Sequence, residues 1–157
     1  MIDRVSLSYS TFEAPPMKFE AGTPMIAEVI GLGAALRFIE SLGRENIAAW
    51  EQELLDYATR RLGEIQGVRI IGTAAKKGGL ISFVIEDLHP LDVGTLLDLK
   101  GIAIRTGLLC AEPTVTHFGL SSLIRISFGV YNTFEEIDIF IEALKEATLL
   151  LRPALSY

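Results

Sequence analysis

Residues 68–85 read VRIIGTAAKKGGLISFVI. Two runs rich in β-branched residues, Val68–Ile71 and Leu80–Ile85, flank a stretch that closes on Lys-Lys-Gly-Gly. β-Branched and aromatic side chains suit a pleated surface, and paired glycines mark a turn. The spacing predicts two short strands joined by a turn, which makes them antiparallel neighbours. The second run, with Phe83 among branched residues, is expected at the centre of a sheet.

Helical patterns lie on both sides of this pair. Upstream, Ile47, Trp50, Leu54, Ala58, Leu62 and Ile65 recur at helical spacing over Asn46–Ile65, and Gly67 stops the run. Earlier still, Pro24 can open a helix reaching about Ser41, with Ile26, Val29, Ile30, Gly33 and Leu36 in phase. Its only charges are Glu28, Arg37 and Glu40, so it is expected to be largely buried. Before it, VSLSYS (5–10) alternates like a strand, and EAPPMK (13–18) breaks regular structure. Downstream, Asp92 is expected to cap a short helix that Gly101 ends near Lys100. Ile102–Arg105 and Leu123–Phe128 read as strands with a long loop between them. Thr133 with Glu136 three residues on forms a capping box. It opens a last helix with Ile137, Phe140, Ile141 and Leu144 inward and Pro153 beyond its end. The order of elements predicts an α+β domain, a small mostly antiparallel sheet with helices on one face.

Length and composition narrow the function. The 157 residues suit one domain with an appendage. Half are hydrophobic and mean hydropathy is +0.39, yet no apolar run is long enough for a membrane span. The excess is expected to face a protein partner. A net charge of −6 with no basic cluster argues against nucleic acid and anionic membrane surfaces. The single cysteine cannot form an internal disulfide, which points to the cytoplasm. One cysteine and two separated histidines argue against a metal site.

That cysteine, Cys110, lies in RTGLLCAEP (105–113), and it can be read two ways. A lone cysteine is by default a small buried hydrophobe. A cysteine on a loop after a strand, with Arg105 and Arg125 nearby, is instead placed to act as a thiolate nucleophile. Arg125 is equally double. It is an edge-strand arginine with its head in water, or a bidentate clamp for a carboxylate. Thr23, in Gly-Thr-Pro ahead of a helix, could be a plain cap or a donor to a phosphate. His117 is close enough in sequence to Cys110 for a Cys–His pair to be conceivable. His89 reads as a surface loop residue, and the acid pairs Glu86–Asp87 and Glu135–Glu136 as solvated charge.

Several segments together resemble one family: KFEAGTP (18–24), IGLGAAL (30–36), LDVGTLLD (91–98), GIAIRTGLLCAEP (101–113) and RISFGVYNTFEEID (125–138). In order and spacing they look like the C-terminal small domain of cysteine desulfurases. These are pyridoxal-phosphate (PLP) enzymes of fold type I in the class-V aminotransferase group. The Arg-Thr-Gly-x-x-Cys-Ala loop is similar to group II, the SUF-type desulfurases and their selenocysteine lyase relatives.

The resemblance implies a role for each candidate. Cys110 would attack the sulfur of substrate cysteine and become a persulfide. Arg125 would hold the substrate carboxylate, with Arg105 near the site. Thr23 would reach the cofactor phosphate of the neighbouring subunit in a homodimer. Residues 1–18 would form an extended or hairpin segment, and residues 19–157 the small domain. The sulfur would pass to an acceptor protein of the SUF system for iron–sulfur cluster assembly, and L-alanine would leave.

Two departures stand out. Relatives carry His-His where Leu108–Leu109 stand, and an Asn where Met25 follows Gly-Thr-Pro. In addition, none of the five lysines follows a histidine, as the PLP lysine of the large domain would. The isolated chain, with that domain absent, is therefore expected to bind no PLP covalently and to be inactive. A selenocysteine lyase or other class-V activity, or a non-enzymatic persulfide carrier or interaction domain, are the alternative expectations.

Overall fold

A computed structural model describes residues 1–152. Pro153, expected just beyond the last helix, lies outside the described residues. The chain divides into two compact units, Met1–Arg44 and the residues from Glu45 onward. Residue 18, where the extended segment was expected to end, falls inside the first unit.

The first unit opens with an antiparallel hairpin of β1 (Ile2–Val5) and β2 (Ser10–Phe12), with Val5 opposite Ser10. The alternating VSLSYS is therefore the turn and its shoulders, not a strand. Ser6 drives this: its Oγ accepts the Tyr9 N–H at 3.0 Å and its hydroxyl donates to the Tyr9 carbonyl at 2.9 Å. Such local side-chain bonds favour turns over ladders. Helix α1 (Ile26–Leu42) follows and ends at Gly43, whose φ of +84° suits glycine. It was expected to be buried, yet none of its residues is. Ile26, Val29, Ile30, Leu32, Leu36 and Phe38 are each more than half exposed. Apolar periodicity identifies a helix that needs a cover. It does not say that this chain supplies one.

The second unit holds the sheet. Strands β3 (Val68–Ile71), β4 (Leu80–Ile85), β5 (Arg105–Gly107) and β6 (Leu123–Ser127) run in the order β3-β4-β6-β5, every pair antiparallel. Val68–Ile71 and Leu80–Ile85 are strands as their composition predicts, and β4 is interior. Alternation divides the sheet into two faces. Ile81, Phe83 and Ile85 of β4, with Ile124 and Ile126 of β6, point into the core. Helices α2 (Arg44–Gly63), α3 (Pro90–Asp98) and α5 (Phe134–Leu151) cover that face with Leu54, Ala58 and Leu62, with Val93 and Leu97, and with Ile137, Phe140, Ile141 and Leu144. Phe83 and Phe140 meet edge to face at 6.5 Å between ring centroids. The fold is α+β with a small antiparallel sheet.

Three local expectations change. Helix α3 starts two residues before Asp92, and His89 is its cap, with Nδ1 accepting the Leu91 N–H at 3.3 Å. Strand β5 begins at Arg105, not Ile102. Ile102 and Ile104 pack against the core from an unpaired segment, so their alternation reports burial and not pairing. The long loop contains a short helix, α4 (Glu112–His117), with Pro113 in its first turn.

The capping box of α5 forms as expected. Thr133 Oγ1 accepts the Glu136 N–H at 3.2 Å, and Glu136 Oε2 accepts the Thr133 N–H at 3.0 Å. Glu136 is thus more than solvated charge. The Asn132 side-chain amide donates to its carboxylate at 3.0 Å, and with the Thr133 N–H this holds its pKa below the ordinary glutamate value. A depressed carboxylate contributes stability above its unfolded pKa and loses it as pH falls through the folded one. Urea midpoints of the wild-type chain should therefore fall between about pH 4.3 and that lower value, and the fall should be shallower in Glu136→Gln. Parallel curves would show that the cap carboxylate contributes nothing.

Candidate functional site

The face of the sheet away from α2, α3 and α5 carries the candidate residues. In register, Ile71 faces Ser82, Ser82 faces Arg125, and Arg125 faces Arg105. Directly opposed residues on antiparallel strands share a face, so these four form a row across the whole sheet. Arg125 lies on β6, an interior strand, which overturns the edge-strand reading. Arg105 is exposed and Arg125 is partly buried. Two cations set opposite each other on adjacent strands repel unless an anion lies with them.

A hollow of about 240 Å³ opens over the centre of this row. Leu80, Ser82, Leu123 and Arg125 line it from the sheet, Val115 lines it from α4, and Phe118 lines it from just beyond that helix. The Nε of Arg125 is buried and has no hydrogen-bond partner among the described residues. A buried guanidinium N–H left unpaired is costly, and a carboxylate is the partner that its fork matches.

Cys110 stands at the rim. It is exposed, while its neighbours Leu109 and Ala111 both line the hollow. This removes the reading of Cys110 as a buried hydrophobe. The backbone explains the placement. The Ala111 N–H donates to the Leu108 carbonyl at 2.9 Å, closing a four-residue turn. Its central residues, Leu109 and Cys110, have φ of +54° and +56°. Positive φ at both positions is the signature of a primed turn, which Asn-Gly or Gly-Gly ordinarily supplies. For residues with a Cβ this costs about 1–2 kcal/mol each. The turn leads straight into α4.

The other candidates divide. His117 is the last residue of α4, and its ring meets Phe118 edge on at 5.4 Å. Six helical residues span roughly 9 Å, so α4 sets His117 apart from the cysteine turn and no Cys–His pair is built. Thr23 belongs to the first unit and is exposed. The N-cap of α1 is Met25, with no side-chain bond, so Thr23 does not cap it. Ser82 was missed, and Leu109 stood out only with Leu108, as a departure from the His-His of relatives. Ser82 is betrayed only by being polar at an off-core position of β4. Nothing in the sequence separates Leu109 from Leu108.

The hollow is large enough for a small carboxylate, and Arg125 in its lining offers that group a partner. It does not fit an attached PLP, because no lysine lines it. Lys100 pairs with Glu146, Lys145 pairs with Glu142, and Lys77 Nζ donates to the Gly72 carbonyl at 3.4 Å. Among the described residues no helix is long and apolar enough to cross a membrane.

The chain matches the family model of class-V aminotransferases over residues 1–140. It is 50% identical over 145 residues to a probable cysteine desulfurase of Mycobacterium leprae, covering 92% of this chain and 24% of that protein. It is 47% identical over 151 residues to a probable cysteine desulfurase of Xylella fastidiosa, covering 96% of this chain and 36% of that one. The chain thus spans about a quarter to a third of the length of these relatives. Among solved structures, the cysteine desulfurase CsdA of Escherichia coli, in an S-sulfonic acid form, superposes with a TM-score of 0.84 at 34% identity, over 96% of this chain and 37% of that one. The chain belongs to the class-V aminotransferase family.

Proposed function

We propose that this chain is the C-terminal part of a PLP-dependent cysteine desulfurase and supplies the substrate-carboxylate clamp and the sulfur-accepting thiol. Arg125 holds the carboxylate of L-cysteine, with Arg105 adding positive charge from the neighbouring strand. Cys110 Sγ accepts the substrate sulfur: an S–S bond forms, the substrate C–S bond breaks and L-alanine leaves. The cofactor, held by a lysine of the large domain, supplies the electron sink when bound. Thr23 contributes to its phosphate from a neighbouring subunit of a homodimer. The persulfide passes to a SUF-type acceptor protein in the cytoplasm. Residues 1–18 are the extended segment of this arrangement, and residues 19–157 the small domain. The chain alone binds no PLP covalently and releases no alanine from cysteine.

One observation carries the reading. Arg125, whose buried Nε has no partner among the described residues, lines the same hollow as Leu109 and Ala111, the two neighbours of Cys110. The test compares alkylation of the 157-residue chain by 3-bromopropionate and by its neutral amide. Each reaction forms an S–C bond and expels bromide. The same thiolate attacks both reagents, so the rate ratio cancels the thiol's own reactivity and reports only the preference for a carboxylate. The ratio should exceed that of N-acetylcysteine about tenfold, and Arg125→Gln should remove the excess. A wild-type ratio no higher than that of the small thiol would sink the proposal.

A further inference from the structure

We propose that Leu109 is the positioning residue of this site, an anchor that fixes the Cys110 thiol relative to Arg125 and walls the carboxylate subsite from water. The inference rests on the reading of Arg125 and Cys110 given above and adds a residue to it. Leucine is a poor choice for the first central position of a turn that needs positive φ, where glycine or asparagine would sit without strain. A residue held in such a conformation persists when its surroundings over-determine it. Here the surroundings are visible. Leu109 is partly buried and lines the hollow beside Val115, Phe118 and Arg125, while Cys110, the next residue, is exposed.

The turn thus turns one side chain in and the next out. Its inward half is apolar and shares the lining of the hollow with Arg125, whose Nε is buried. In a dry setting an arginine–carboxylate pair is stronger than in solvent, because charge is less screened there. With its end tethered in the hollow, the turn holds the thiol at one distance from the bound carboxylate. That is the geometry a nucleophile needs to meet a substrate already clamped. A free loop bearing the same cysteine would react with any reagent and prefer none.

The experiment again uses the 157-residue chain and the same pair of reagents, with Leu109→Gly and Leu109→Met. Glycine accepts the left-handed backbone, so the turn can form, and only the anchor is lost. The carboxylate preference of Leu109→Gly, the ratio of its rates with the two reagents, should fall about tenfold, whatever its rate with the neutral amide. Leu109→Met, apolar and flexible enough to refill the hollow, should keep the preference within about twofold of wild type. A merely structural leucine would change both rates together and leave the ratio alone. If Arg125→Gln abolishes the preference and Leu109→Gly does not, the anchoring role is wrong and the site stands. If the wild-type chain shows no preference, the reading of the site fails and this inference falls with it.

Discussion

Phe83→Ala is expected to cost about 3–5 kcal/mol of folding stability, read as a lowered urea midpoint with an unchanged slope. Phe83 is fully buried on an interior strand. Its ring meets Phe140 edge to face, so truncation loses transfer energy, that aromatic contact and the packing around both. Domains of this size are held by only about 5–15 kcal/mol, so one substitution removes a large share. The effect should also reach the site. Phe83 pairs in register with Ile124, the residue next to Arg125, and the strand that carries Arg125 is seated by this core. A loss under about 1 kcal/mol would mean that the sheet is not packed as described.

The second large effect concerns sulfur. In a hybrid enzyme, the segment of the Xylella fastidiosa relative that matches this chain is replaced by this chain, so that the relative supplies the rest of its own length. The hybrid should form alanine from L-cysteine. Cys110→Ser should lower alanine formation by about 10³-fold or more, because serine at this position has no thiolate and cannot take up the sulfur. Arg125→Gln should lower kcat/KM by about 10²-fold while PLP binding stays intact, since a charge-assisted bidentate contact is lost from the substrate alone. The two losses should not add, because both residues act on one bound molecule. If Cys110→Ser keeps wild-type turnover, the cysteine is not the sulfur acceptor.

The sheet and its chemistry were unevenly legible in the sequence. Strands β3 and β4 stood out because branched residues and a glycine turn leave few alternatives. The α5 cap was equally clear, because Thr133 and Glu136 satisfy each other's backbone. Pairing was harder to read. Ile102 and Ile104 alternate as a strand would, but they do so to bury side chains, and the ladder begins only at Arg105. Helix α4 was invisible because six residues with one buried side chain, Val115, carry no periodic signal. The covering of α1 cannot be written in α1 itself, since it depends on what lies against it.

At the site, the identities of Cys110 and Arg125 were readable, and their relation was not. That relation depends on register, which sets Arg125 opposite both Ser82 and Arg105, and on a turn whose positive φ values no propensity would assign to Leu-Cys. The conceivable partner His117 failed for a simple reason: a helix lies between it and the thiol.

Cys110 is proposed to receive sulfur from a substrate held by Arg125. The most direct measurement of this is the mass of the Cys110-containing peptide after the PLP-loaded hybrid enzyme is given L-cysteine and no sulfur acceptor. The peptide should be heavier by one sulfur atom, gained in step with alanine formation, and this gain should be absent in the Arg125→Gln variant at the same cysteine concentration. Alanine formed with an unmodified Cys110, or sulfur on Cys110 that is indifferent to Arg125, would contradict the proposal.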